Sequence, residues 1–78
     1  MAHLYFHCTN AHEALRDRAG RDVPSLAEAH REALALARLV MDRVSGLGDF
    51  RDWRIHVEDE EGSELMLVPF TFARAELH

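Results

Sequence analysis

Apolar and polar positions alternate from His3 to Thr9. Leu4, Phe6 and Cys8 fall on one side, and His3, Tyr5, His7 and Thr9 on the other. A period of two predicts a strand. The stretch "NAHE" reads as a reversal, and Ala14–Arg18 as a short second strand. "DRAG" follows as a turn with Gly20 free to take positive φ. The period then changes. From Leu26 to Val44 the apolar residues Leu26, Ala29, Ala33, Leu34, Leu36, Ala37, Val40, Met41 and Val44 share an arc of roughly 160° on a helical wheel. Ser25 is placed as N-cap with Glu28 three residues on, Pro24 holds the entering chain extended, and Gly46 or Gly48 ends the helix. Leu39 stands alone on the polar side, among Glu28, Arg31, Glu32, Arg38, Asp42 and Arg43.

Period two returns in "WRIHVEDEEGSELMLVPF". With Asp59–Gly62 as a type I turn and Gly62 left-handed, the register pairs Val57 with Leu65, Ile55 with Leu67 and Trp53 with Pro69. All six then share one apolar face, and the acidic run becomes a solvated hairpin tip. Pro69 marks an edge strand. The order is β-β-α-β-β: an α+β fold with one helix, about residues 25–45, on a four-stranded antiparallel sheet ordered 2-1-3-4. The C-terminal hairpin takes about residues 53–70, and residues 1–78 make one domain. The competing arrangement is a β-grasp-like mixed sheet, with the last strand parallel to the first. The tail from Phe72 onward adds at most a short helical turn.

Composition narrows the function. The 78 residues carry nine Arg, no Lys and fourteen acids, a net charge of −5. The arginines are scattered beside acids, so no phosphate-binding surface forms and nucleic acid is not an expected partner. No apolar run reaches the roughly 20 residues of a membrane span, and "MAHLYFHCTN" shows no export signal. The lone Cys8 fits a reducing cytoplasm.

The string Asp17, Gly20, Pro24, Ala29, Glu32-Ala33, then Trp53, Ile55, Val57, Asp59, Gly62 and Pro69-Phe70, with the "LYFH" opening, resembles a family of small proteobacterial proteins catalogued as a domain of unknown function. The resemblance runs from about His3 to Phe72 and implies a small intracellular bacterial protein. It brings no catalytic residues. His56 departs from the acidic or other polar residue it leads one to expect there.

The acids Glu58–Glu61 and Glu64 lack the alternating spacing of a calcium loop. Cys8 points into the core, Ser25 caps the helix, and Ser45 and Ser63 belong to a helix end and a turn. No nucleophile elbow or phosphate loop is present, so an enzyme is not expected, nor a cofactor. The face of the sheet opposite the helix is more informative. Tyr5, Met66, Val68 and Phe70 are assigned to it, a patch expected to form the interface of a homodimer and to bind a further protein partner. The alternative is a metal- or small-ligand site built from His3, His7 and His56 on that face.

Overall fold

The computed structural model describes residues 2–43 and 50–75. Among these residues five strands and two helices follow in the order β1 (Ala2–Thr9), β2 (Ala14–Leu15), β3 (Arg21–Val23), α1 (Leu26–Arg43), β4 (Arg54–Glu58), β5 (Glu64–Pro69) and α2 (Phe70–Ala75). The sheet is antiparallel, with the order β2-β1-β4-β5 and β3 also on β1. This is the α+β architecture and strand order expected, with β3 and α2 added. The β-grasp alternative is excluded, because β5 lies antiparallel to β4 at the far edge.

α1 begins as its sequence dictates. Ser25 Oγ accepts from the Glu28 N–H at 3.1 Å and its carbonyl from the Ala29 N–H at 3.0 Å. Glu28 turns its carboxylate to Arg31 at 3.4 Å. Ala29, Ala33 and Ala37 are fully buried, so their short side chains bring the helix close to the sheet. Leu36, Val40 and Met41 pack on the core from the flanks, whereas Leu26, placed on the apolar arc by periodicity, is exposed at the first turn. The expected stop at Gly46 or Gly48 lies outside the described residues.

The hairpin corrects the predicted register. Its tip is as expected: Gly62 takes φ 84° and donates to the Asp59 carbonyl at 3.1 Å, and Asp59 N–H reaches the Ser63 carbonyl at 3.0 Å. Glu58 still pairs with Glu64. Then Leu65 bulges, and Val57 pairs with Met66, Ile55 with Val68 and Arg54 with Pro69. The slip exchanges the two faces of β5. Val68 (1 % exposed) and Phe70 (0 %) are core residues and Met66 is packed against the core, while Leu65 and Leu67, each 44 % exposed, face outward. Proline supplies the reason. Without the bulge, Pro69 would oppose Trp53 in a hydrogen-bonded pair and have no N–H to give. With it, Phe70 N–H takes that place on the Trp53 carbonyl at 3.0 Å. The Phe70 ring then stacks 5.9 Å from Phe50 and 5.8 Å from Trp53.

On its other side β1 is divided. β3 pairs with Ala2–Leu4 and β2 with Cys8–Thr9, leaving Phe6 between them. The Asp17 carboxylate fills the gap, its Oδ2 accepting from the Phe6 N–H at 3.1 Å. Its Oδ1 accepts from the Ala19 and Gly20 N–H groups at 3.1 and 3.0 Å. Gly20 has φ 68°, and a Cβ there would lie 2.7 Å from His3 Nε2 and 2.8 Å from the Leu4 carbonyl oxygen. Arg21 ties β3 to the helix through Glu32 at 2.7 Å, with its guanidinium 5.3 Å from the centre of the Phe6 ring.

Candidate functional site

The face opposite the helix is built by period two from three strands. β1 contributes His3, Tyr5, His7 and Thr9, β4 contributes Arg54, His56 and Glu58, and β5 contributes Leu67 and Pro69, with Leu65 at the bulge. Its polar side chains are tied to one another. His7 lies directly opposite His56. His7 Nδ1 accepts from the Asp17 N–H at 3.0 Å, which leaves the proton on Nε2, 3.5 Å from Glu58 Oε1. His56 Nδ1 faces Glu64 Oε1 at 2.5 Å and its Nε2 faces Thr9 Oγ1 at 2.8 Å. Tyr5 is half-buried between His3 and His7, with ring centres 5.2 and 6.3 Å away.

His3 is drawn elsewhere. Nδ1–H donates to Asp22 Oδ1 at 2.8 Å and Nε2–H to the Ala19 carbonyl at 2.9 Å. With an acceptor at each nitrogen, first the Asp22 carboxylate and then the Ala19 carbonyl hold the imidazole above its ordinary pKa. The three histidines named for a metal therefore do not converge: His7 and His56 are neighbours, and His3 clamps the turn before β3. Among the described residues no group of three or more His, Cys, Asp or Glu is placed to hold a metal ion.

Of the four interface residues named from sequence, Tyr5 alone lies on this face. Met66, Val68 and Phe70 turned inward with the bulge. Leu65 and Leu67, which periodicity places in the core, lie on this face instead; Thr9 and Arg16 carry no signal of a site in the sequence, and Asp17 only that of the resemblance. Pro69 was the readable signal for both errors, since it fixes which β5 residues can face β4.

His7, Thr9, Ala14, Arg16, His56 and Glu58 line a shallow cleft of about 150 Å³. Thr9, His56 and Glu64 stand in the hydroxyl–imidazole–carboxylate order of a nucleophilic triad. The same contacts tie β1 to β4 and β5 across the face of the sheet. Cys8 is buried beneath it, and that burial, with the Asp17 charge, pushes its thiol up to about 11, far from a reactive thiolate at neutral pH.

The positions that carry the sequence resemblance prove architectural. Asp17 and Gly20 close the divided edge, Trp53, Ile55 and Val57 are core, and Asp59 and Gly62 build the hairpin tip. No helix among the described residues is long and apolar enough to cross a membrane. No curated protein and no solved structure matches the chain significantly. A family model does match, over residues 3–71, and the chain belongs to that family, described as Domain of unknown function (DUF6894).

Proposed function

We propose that the protein is a small non-catalytic interaction module of the bacterial cytoplasm that self-associates, and binds other proteins, through the sheet surface opposite the helix. The observation that carries this is the pair Leu65 and Leu67. Both are large apolar residues exposed to 44 %, on the outermost strand of a face that no described element covers. Tyr5 adds an aromatic side chain to the same face. A chain with so small a core gains from covering such a surface. Sedimentation velocity on the wild-type protein is the test. A species of twice the chain mass at about 500 µM is expected, and a monomer there would end the self-association reading.

A second reading rests on the cleft. Among the described residues Arg16 has no carboxylate partner, and it stands beside the His7 Nε2–H, an arrangement suited to a small anion. Titration with acetate or phosphate, followed by the NMR signals of His7 and His56, should saturate if that reading holds. Unchanged signals would remove it.

A further inference from the structure

The self-association just proposed can be assigned a geometry. We infer that two copies join edge to edge through β5, antiparallel about a two-fold axis at Leu67, to make one continuous sheet.

The hydrogen-bond pattern of the hairpin fixes which groups are available. Phe70 N–H bonds the carbonyl of Trp53, the residue opposite it, so that pair is of the hydrogen-bonded kind. Such pairs alternate along an antiparallel ladder. Val68 with Ile55 and Met66 with Val57 are then the next ones, and Leu67 with His56 and Pro69 with Arg54 are not. Leu67 therefore turns both its N–H and its C=O to the open edge of β5, whereas Pro69, the residue before α2, gives its C=O to the first turn of that helix.

Three observations select a second copy as the occupant. First, Leu65–Pro69 (Leu-Met-Leu-Val-Pro) is five residues without a charge in a chain that is 29 % charged. Solvent-facing edges usually carry charges that deter pairing. Second, the strand is complementary to itself. About an axis at Leu67, the two Leu67 residues exchange N–H···O=C bonds, and each Pro69 lies opposite Leu65 of the other copy. Leu65 is the bulge, where the ladder is irregular. The missing proline donor thus falls where no regular bond is lost. Third, the charges favour this direction. Glu64 sits three residues from the axis, so antiparallel pairing puts the two Glu64 carboxylates about 20 Å apart along the strands. Parallel pairing would set them side by side. The outer leucines and prolines of both copies then form one apolar strip across the seam.

A seam of two short strands and six outer side chains falls below the roughly 1,200 Å² of a standard interface, so the dimer is expected to be weak. Sedimentation at about 20 and 500 µM, with amide hydrogen exchange, tests it on wild type, Leu67→Pro and Leu67→Lys. Leu67→Pro removes an N–H that β4 does not use. Leu67→Lys keeps the strand and opposes two cations across the axis, and so covers the case in which the proline variant does not fold. The expected result is a wild-type dimer at the higher concentration whose Leu67 amide exchanges about threefold more slowly than at the lower, and monomers for both folded variants. A wild-type dimer that survives Leu67→Lys, or whose Leu67 amide exchanges equally fast at both concentrations, overturns the edge geometry and leaves self-association standing. A wild-type monomer at the higher concentration overturns both.

Discussion

Gly20 and Gly62 both adopt positive φ, but in different surroundings. A Cβ at Gly62 meets nothing within 4 Å, so Gly62→Ala is opposed by the backbone alone, about 1–2 kcal/mol. At Gly20 the new carbon would strike His3 Nε2 and the Leu4 carbonyl, adding about 1–3 kcal/mol of overpacking. Urea denaturation should rank the two variants in that order, and equal losses would mean that the turn at Gly20 yields freely. Asp17 is the second telling residue. Burial works against its charge, but the Gly20, Phe6 and Ala19 N–H groups and the nearby Arg21 outweigh it and hold its carboxyl below the usual value. Its contribution to stability is therefore present above the ordinary Asp pKa of about 3.9 and is lost as pH falls through the lowered value. Asp17→Ala, which leaves the Phe6 N–H without a partner, should cost about 1–3 kcal/mol at pH 7. His3 runs in the opposite sense, since its pKa is raised. Its stabilisation is complete below about 6.5 and disappears as pH climbs through the folded-state value. The stability difference between wild type and His3→Gln should accordingly shrink between pH 6 and pH 9. A constant difference would show that the imidazolium clamp contributes nothing in solution.

At the scale of elements, β5 is the instructive case. Every residue from Leu65 to Phe70 is apolar, so alternation carries no information about which of them face the helix. In β1 and β4 polar and apolar residues do alternate, and their faces read correctly from sequence. The bulge after the turn moved the pairing by one, and Pro69 required it. Mutagenesis separates the two registers. Phe70→Ala should cost about 3–5 kcal/mol and Leu65→Ser no more than about 0.5, whereas the register predicted from sequence reverses that ranking. The remaining misses have plain causes. β3 is the triplet Arg21-Asp22-Val23, two charges and a valine, too short for a period to show. α2 starts directly after a proline, at Phe70, within an apolar run that shows no helical period. For the candidate site, His7 and His56 were legible as neighbours once β1 and β4 were set side by side. Their partners were not. Glu58 and Glu64 flank the acidic hairpin tip and read as part of it, and nothing in the sequence links Thr9 or Asp17 to a histidine in another part of the chain.

For the molecule as a whole, the structure measures 34 × 29 × 17 Å, and its shortest dimension has room for a sheet and one layer of helix. Half of the sheet's surface therefore meets solvent or a partner. If association contributes to stability, the thermal midpoint should rise with protein concentration over a hundredfold range. A midpoint independent of concentration would describe a chain stable by itself. Cys8 reports on the same core from inside. With its thiol raised and buried, it should resist alkylation in the native protein and react only on unfolding, so its labelling rate is a direct clock for global opening. The divided outer side of β1 settles a further matter, that of number. β2 is two residues long, β3 three, and a carboxylate occupies the space between them, so that flank offers an incoming strand nothing continuous to copy. A sheet with two adhesive margins can grow without limit into a fibre. With the edge pairing proposed for β5, this sheet would have a single adhesive margin, and growth would stop at two.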